Sequence, residues 1–344
     1  MTITSTPAVF LTAARTLELV QTPIAEPVDG EVLIRVTAVG LCGSDAHWYE
    51  EGGIGDASVG SGLILGHEFA GVIESGPRSG EPVAVDPAIP CLACDPCRAG
   101  RHNLCLNIRF AGHASTHGAL RGHLVWPERC LVTLPENLSA EDGALLEPLG
   151  VALHAIDLAG LDRGNWVGVF GSGPIGLLLV AALRSMGVER IVVTDRLSHR
   201  LDAAIQLGAT TTILATEDVA ELEAVLDAAE GGLDVALETS GTDAALDTAL
   251  TTVRPGARVV LVGIPNRDRT SFVSSMARRK ELSLALCRRM LSQDLSRAAA
   301  LVGAGAVDLA GMVSHRYPLG QVDEAFRTLS ERSGLKVMIE PSAP

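Results

Sequence analysis

The stretch 165–176, NWVGVFGSGPIG, runs from an apolar strand through a glycine turn into a helix. Pro174 falls in the first turn of that helix, where proline is well tolerated. Strands and helices then alternate, with a strand at 190–195, a helix capped by Ser198, and further pairs up to a strand at 257–264. This alternation predicts an α/β fold with a doubly wound parallel sheet, a Rossmann domain with helices on both faces.

The glycine turn satisfies the dinucleotide-binding pattern G-x-G-x-x-G with the residues Gly171, Ser172, Gly173, Pro174, Ile175 and Gly176. Gly171 permits the tight turn, Gly173 lets the backbone approach a pyrophosphate, and Gly176 lets the helix pack on the strand. The free N–H groups of the helix N-terminus favour phosphate. The glycines could instead only shorten a loop, but their position between strand and helix favours a nucleotide site.

Asp195 ends the next strand, where an acidic residue can accept both ribose hydroxyls of NAD. A carboxylate there would repel the 2′-phosphate of NADP, so we expect NAD. Arg196 beside it is the one feature that could soften this preference.

The first 150 residues follow a different pattern. Residues 30–40 alternate apolar and polar in the strand period, and shorter strand-like runs follow at 69–75, 82–87 and 123–127, separated by glycine and proline. This predicts a turn-rich β domain. The last amphipathic helix and strand could extend the parallel sheet or fold back onto this domain, and periodicity leaves both options open.

Composition limits the functional classes. The chain has 344 residues, 47% of them hydrophobic and 20% charged, which suits two globular domains. Its net charge of −14 disfavours nucleic acid and anionic lipid as partners, so small molecules are the better candidates. The N-terminus resembles no signal peptide and no segment has the ~18 consecutive apolar residues of a membrane span, so we expect a soluble cytoplasmic protein.

Four of the seven cysteines lie in one short loop, CLACDPCRAGRHNLC, at the spacing C-x2-C-x2-C-x7-C. Four thiolates so close together can close a tetrahedron around Zn²⁺ without an open position, which predicts a structural zinc site. The alternatives are an iron–sulfur cluster and free thiols. The predicted ligands are Cys91, Cys94, Cys97 and Cys105.

A second metal site would need ligands that leave a position for substrate. Its candidates are Cys42, the adjacent pair His67 and Glu68, and Glu147. Each has a structural explanation when taken singly: a small core cysteine, a buried histidine, a paired carboxylate and an acid near a helix N-terminus. Together these explanations require four coincidences. His67 and Glu68 would point to opposite faces of a regular strand, so both could ligate only where the backbone bends at Gly66, or if Glu68 acts through water or in an alternate state.

With these motifs assembled, the chain resembles the zinc-dependent medium-chain dehydrogenases, in particular the polyol branch of sorbitol and xylitol dehydrogenases. The resemblance covers nearly the whole chain and rests on the motifs GLCGSDAH, EEGGIG, LGHE, the four-cysteine loop, GALLEPLGVALHA, GSGPIG, VVTDRLSHRL, VSHRYPL and LKVMIE. It implies a GroES-like catalytic domain built from residues 1–150 and 286–344, with the structural-zinc lobe at about 88–107. The Rossmann domain would then span residues 151–285.

The resemblance also implies residue roles. Cys42 and His67 would bind the catalytic zinc, and Glu68 and Glu147 would complete the first or water-bridged shell. Asp45 would orient the ligating histidine. Ser44 and His47 would relay the proton.

Further residues are assigned to the cofactor and the substrate. The resemblance places an arginine, here Arg288, near both, and an aromatic pair, here Trp48-Tyr49, after the first motif. Arg289 stands where the polyol branch usually has an aromatic residue, so the choice of polyol stays open. The complete cofactor set is predicted to be Gly171, Gly173, Pro174, Ile175, Gly176, Asp195, Arg196, Arg200, Val262, Gly263, Ile264, Leu286 and Arg288, and the substrate set Trp48, Glu147, Arg288 and Arg289.

The implied reaction is reversible oxidation of a polyol to a ketose, with hydride passing to NAD and one catalytic and one structural zinc per chain. A homotetramer is expected from the family alone. Threonine and 2,3-butanediol dehydrogenases share nearly the same motifs and remain alternatives, and a non-catalytic nucleotide-binding protein on the same fold is a more remote one.

Overall fold

The computed structural model describes residues 4–55, 57–265 and 269–342. The chain forms two compact units. The first unit comprises Met1–Glu147, Leu291–Gly305 and Leu309–Pro344, and the second comprises Pro148–Met290 and Ala306–Asp308.

Strands and helices are numbered in chain order. The strands are β1 Ser5–Ala13, β2 Thr16–Pro23, β3 Glu31–Gly40, β4 Gly53–Ile54, β5 Ala57–Ser58, β6 Leu63–Ile64, β7 Glu68–Ile73, β8 Pro82–Val85, β9 Ala88–Ile89, β10 Arg109–Phe110, β11 His123–Pro127, β12 Leu131–Thr133, β13 Trp166–Phe170, β14 Arg190–Asp195, β15 Thr211–Leu214, β16 Leu233–Glu238, β17 Val253–Leu261, β18 Ser283–Leu286, β19 Val313–Pro318 and β20 Lys336–Glu340. The α-helices are α1 Gly43–Glu51, α2 Asp95–Arg98, α3 Ala140–Ala159, α4 Pro174–Ser185, α5 Ser198–Gln206, α6 Val219–Ala228, α7 Asp243–Thr252, α8 Ser274–Arg279, α9 Ser292–Gly303 and α10 Val322–Glu331.

The first unit is built on a seven-stranded sheet. Its order is β12-β8-β7-β3-β20-β19, with β11 also paired to β3. Strand β3 alternates buried and half-buried positions, as its sequence period requires. The last strand, β20, pairs with the first half of the chain through β3, so the C-terminal segment lies in this sheet and does not extend the parallel one.

Helix α10 covers part of this unit with an apolar stripe that includes Val322, Ala325 and Phe326, all buried. Phe326 is fully buried and stacks on Tyr49 of α1, with ring centroids 4.8 Å apart. An aromatic contact therefore joins the C-terminal helix to the first motif-bearing helix.

The second unit holds a six-stranded parallel sheet in the order β15-β14-β13-β16-β17-β18. Chain order reverses between β13 and β16, and ligands of open α/β sheets bind beside such a point, at the carboxyl ends of the strands. The predicted parallel α/β fold is confirmed.

Two details differ from the sequence prediction. Ser198 does not cap α5: Leu197 holds the N-cap position, and Ser198 is the first helical residue. The carboxylate of Asp195 accepts the N–H of Leu197 at 2.9 Å, so an acid further upstream shapes the entry to the helix. Strand β17 begins at Val253, four residues before the predicted start at 257.

Within the described ranges, every helix is either too short or too polar to cross a bilayer.

Replacing Phe326 by alanine tests the packing of the C-terminal helix. Removing a fully buried phenylalanine leaves a cavity, so we expect the free energy of unfolding to fall by ~3–5 kcal/mol. Calorimetric melting of Phe326→Ala and of the exposed control Glu324→Ala measures the difference. Equal melting temperatures for the two variants would contradict the packing described.

Candidate active site and metal centres

The ends of strands β3 and β7 bring predicted catalytic residues together, and the start of β20 adds Lys336. Strand β3 ends at Gly40, two residues before Cys42, and in the sheet Gly40 lies opposite Glu68 at the start of β7. On its other side β3 pairs with β20, which begins at Lys336. Sheet register therefore places residues from both ends of the chain side by side.

Cys42, His67 and Glu68 form a compact group whose possible ligand atoms all lie within 4.8 Å of one another. Cys42 is half-buried, whereas His67 and Glu68 are buried. Gly66 has φ +90°, and a Cβ there would stand 2.8 Å from Cγ1 of Val39. The backbone therefore bends at Gly66, which lets His67 and Glu68 face one centre.

Asp45 holds this group in place through contacts with Cys42, Gly66 and His67. Its carboxylate is fully buried and accepts the N–H of Cys42 at 2.9 Å and that of Gly66 at 3.3 Å. It also lies 3.5 Å from Nδ1 of His67. This leaves Nε2 as the nitrogen available to a ligand, as in metal-binding histidines held by an acid. Burial alone would lower the pKa of His67, but the charge and hydrogen bond of Asp45, together with those of Cys42, raise that pKa well above its usual range.

Glu68 is paired with Lys336, and both side chains are only 1% exposed. The Lys336 ammonium contacts Oε2 of Glu68. Burial would lower the pKa of Lys336, but the negative charges of Glu68, Cys42 and Glu147 raise it above its usual value. The ammonium therefore stays charged within the site.

Glu147 lies on α3 and is also buried, but it is not a member of the group of atoms within 4.8 Å in the described residues. Burial raises the pKa of Glu147 to about 8; the nearby charge of His67 opposes this rise and that of Glu68 adds to it. Glu147 is thus an electrostatic neighbour of the group, and its role as a zinc ligand stays a prediction.

The two predicted relay residues differ in position. The hydroxyl of Ser44 lies 3.5 Å from Nε2 of His67, so Ser44 borders the metal-ligand group. His47 points along its own helix, with Nδ1 3.3 Å from Glu51 Oε1. Trp48 is 2% exposed, belongs to the hydrophobic core and packs edge-on against His113. It therefore helps to support the site from the core, and a substrate contact by Trp48 stays a prediction.

The four-cysteine loop forms a second group of metal-ligand atoms. The sulfur atoms of Cys91, Cys94, Cys97 and Cys105 lie within 4.8 Å of one another, and all four thiols are free. Backbone N–H groups of Ala93 and Cys94 lower the pKa of Cys91 to about 6, whereas burial raises that of Cys97 to about 12. Such a set fits a closed four-sulfur zinc site.

The predicted nucleotide residues lie in the second unit, at the carboxyl ends of its parallel strands. Gly171 follows β13 with φ +102°, and a Cβ on Gly176 would clash with the carbonyl oxygen of Gly171. Gly173 is the N-cap of α4 and Pro174 its first residue, so the glycine turn opens directly onto a helix N-terminus. The backbone matches a surface for pyrophosphate.

Asp195 stands at the end of the neighbouring strand β14. Oδ2 accepts the N–H of Ser172 at 2.6 Å, and Oδ1 accepts that of Leu197. Arg196 is exposed, and its Nη1 lies 3.7 Å from Oε1 of Glu217. The acid is therefore fixed beside the glycine turn, whereas the arginine is engaged with another acid at the surface.

The remaining cofactor candidates surround the same strand ends. Arg200 Nη1 lies 3.5 Å from where a Cβ of Gly173 would stand. The N–H groups of Val262 and Gly263 donate to the carbonyl oxygen of Glu238, which closes the loop after β17, and Ile264 follows. Leu286 ends strand β18 and is 77% exposed.

The predicted arginines follow β18. Arg288 is exposed, and Arg289 is partly buried with φ +56°, a backbone conformation that few non-glycine residues adopt. Their roles in cofactor and substrate binding stay predictions.

The comparisons with known proteins agree with this architecture. Residues 28–136 match the alcohol dehydrogenase GroES-like domain, and residues 174–304 match the zinc-binding dehydrogenase domain. The chain is 36% identical to the probable D-xylulose reductase A of Aspergillus fumigatus, over 92% of this chain and 91% of that protein. It is 35% identical to the sorbitol dehydrogenase of Bacillus subtilis, over 95% of both.

The chain belongs to the zinc-dependent medium-chain dehydrogenases, in their polyol branch. A solved structure supports the fold: an alcohol dehydrogenase from Escherichia coli CFT073, determined with NADH, has a TM-score of 0.89 at 25% identity and covers 98% of this chain and 99% of that one. As a dehydrogenase of this family the protein is an oxidoreductase, as the motifs predicted.

Three residues near the two sites were not identified from sequence. Lys336 and Gly40 border Glu68, and Glu238 holds the loop after β16 by accepting the N–H groups of Ser240 and Gly241 at 2.7 and 2.8 Å. The sequence signal for two of them is a charged residue at one end of a largely apolar run. Lys336 begins the run KVMIE, and Glu238 ends the run LDVALE.

The four-cysteine site can be tested by Cys94→Ser. If the loop holds a structural zinc, the variant should lose one zinc per chain and melt several degrees lower, because metal binding stabilises the folded lobe. Elemental analysis and calorimetry measure both quantities. Cys287→Ser, outside both groups of metal-ligand residues, is the control, and an unchanged zinc content in Cys94→Ser would reject the assignment.

Proposed function

We propose that the protein is an NAD-dependent polyol dehydrogenase that interconverts a sugar alcohol and its ketose. The observation that carries this proposal is the group Cys42, His67 and Glu68, oriented by Asp45, in a chain about one-third identical to a sorbitol dehydrogenase and a D-xylulose reductase. Thiolate, imidazole and carboxylate ligands suit zinc, and three protein ligands leave a position open, as in catalytic zinc sites.

Cys42, His67 and Glu68 would hold the zinc, which would supply a Lewis acid for the substrate hydroxyl, and NAD would supply the acceptor for the hydride from the substrate carbon. The protein supplies position. Asp45 holds the ring of His67 and the backbone of Cys42, so neither must reorganise during the reaction. The hydroxyl of Ser44, 3.5 Å from Nε2 of His67, would relay the proton on its way out, and His47 would be the outer acceptor.

Glu147 lies close enough to His67 and Glu68 for their charges to act on its carboxyl group. Glu147 lies in GALLEPLGVALHA, one of the motifs shared with the polyol branch, which supports a polyol rather than a simple alcohol as substrate. We assign its carboxyl group to the zinc-bound water or to a substrate hydroxyl. Asp195 supports NAD as the cofactor, because it is fixed next to the glycine turn. Cytoplasmic location and a homotetramer remain predictions.

Steady-state rates test the substrate class. We expect kcat/KM to be highest for one of sorbitol, xylitol, galactitol and arabinitol with NAD. Threonine and 2,3-butanediol in the same assay cover the related enzymes. A higher kcat/KM for either of these two would replace the proposal.

Cys42→Ser tests the catalytic metal. Loss of a Lewis acid removes several kcal/mol of transition-state stabilisation, so we expect kcat to fall by ~10³-fold or more. The dissociation constant of NADH, measured by fluorescence, should stay the same because the glycine turn lies in the other unit. Cys130→Ser is the control, a buried thiol outside both groups of metal-ligand residues. Unchanged turnover in Cys42→Ser would exclude this cysteine as a catalytic ligand.

Asp195→Asn tests cofactor choice. The amide keeps an acceptor for a backbone N–H but removes the charge that repels a 2′-phosphate, so the ratio of kcat/KM for NADP over NAD should rise by ~10-fold or more. Asp202→Asn removes an exposed charge from the following helix and should leave the ratio unchanged. If both variants gave the same ratio as the original chain, Asp195 would not select the cofactor.

A further inference from the structure

Lys336 is a buried charged residue of the first unit that has no role in the reaction described above. It is 1% exposed, and lysine is almost never buried to that degree unless it is paired. Its partner is Oε2 of Glu68, which is equally buried and belongs to the group of metal-ligand residues. One carboxylate thus stands between a permanent ammonium and the position of a metal.

Gly40 shows that the chain is shaped around this pair. A Cβ at Gly40 would clash with Oε2 of Glu68 and would stand 2.8 Å from Cε of Lys336. On the central strand β3, Gly40 lies opposite Glu68 on β7 and opposite Met338 on β20, two residues after Lys336. The missing side chain provides the space in which Lys336 reaches across the central strand to Glu68.

We propose that Lys336 is a positioning residue that shares Glu68 with the zinc: it holds one carboxylate oxygen and so weakens the hold of Glu68 on the metal. This inference rests on the proposed function, because it takes the Cys42 group to be the zinc site. Two cations compete for one carboxylate in a buried environment, where each interaction is stronger than in water.

This competition predicts the direction in which loss of the ammonium changes the affinity for zinc. Without the ammonium, the buried carboxylate of Glu68 would lose the cation that contacts it, and a buried charge that loses its partner is strongly unfavourable. The carboxylate should therefore bind zinc more tightly when Lys336 is replaced by an uncharged residue. A lysine that only supported the packing would act in the opposite direction, because its loss would loosen the site and release zinc faster.

Zinc extraction by a chromophoric chelator measures this effect on the full-length protein. Lys336→Met keeps the length of the side chain and removes the charge. We expect zinc release from the catalytic group to be slower by about tenfold or more, the range seen when neighbours of metal ligands are changed. Release from the four-cysteine loop should be unchanged and serves as the internal reference. Unchanged or faster release from the catalytic group would overturn the inference.

A matched control is Lys280→Met. Lys280 is half-buried rather than fully buried, and its ammonium donates to the carbonyl oxygens of Leu250, Thr251 and Val253, all in the other unit. Its replacement should lower stability without altering either phase of zinc release. Slower release in this variant as well would show a general effect of losing a buried charge and would overturn the specific role of Lys336.

A double-mutant cycle provides the second test. It does not require the protein to fold with a charged Glu68 that lacks its lysine partner. In a Glu68→Gln background, Lys336→Met should no longer alter zinc release, since Lys336 acts through the carboxylate. A further change as large as that in the original chain would reject this coupling. One zinc rather than two per original chain would instead reject the proposed catalytic zinc, so the two failures are distinguishable.

Discussion

The buried carboxylate of Asp45 is the constraint on which the catalytic group depends. It accepts N–H groups from Cys42 and Gly66, and it faces Nδ1 of His67. These contacts connect the end of one strand to the turn before the next, so two potential ligands from separate segments are held by one fixed acid. A carboxylate that accepts several hydrogen bonds tolerates full burial, and in return it orients what it binds. The position of the metal-ligand group is therefore set by backbone hydrogen bonds more than by the ligands themselves.

Charge balance explains the composition of the surroundings. Cys42, Glu68 and Glu147 bring potential negative charge into a poorly solvated region, and Lys336 supplies a permanent positive one. Burial without such compensation would be costly. The sheet makes the pairing possible because β3 lies between β7 and β20, with Gly40 leaving room above the central strand. The C-terminal strand thus contributes to the site as well as to the fold.

The features that were predictable from sequence are local. The glycine turn, the four-cysteine loop and the alternation of strands and helices each depend on residues close together in the chain, and their geometry follows from spacing. The pairing of Lys336 with Glu68 was not predictable, because it depends on the register between strands from opposite ends of the chain. The predicted cap of α5 was wrong for a related reason. Ser198 has the side chain of a cap residue, but Asp195 accepts the N–H group of Leu197 at the start of the helix. Sequence likewise cannot decide between Glu68 and Glu147 as the direct zinc ligand, since both are buried acids near the same histidine.

Both units use one physical device to shape their functional loops. Asp45 accepts two backbone N–H groups in the first unit, and Asp195 and Glu238 each accept two in the second. A carboxylate has about four acceptor positions, so an acid fixed by two backbone donors retains capacity for a histidine or a ribose hydroxyl. Because the backbone holds the acid in place before any ligand arrives, little side-chain entropy remains to be lost on binding. The same arrangement suits the orientation of a metal ligand in one unit and, in the proposed function, the selection of a nucleotide in the other.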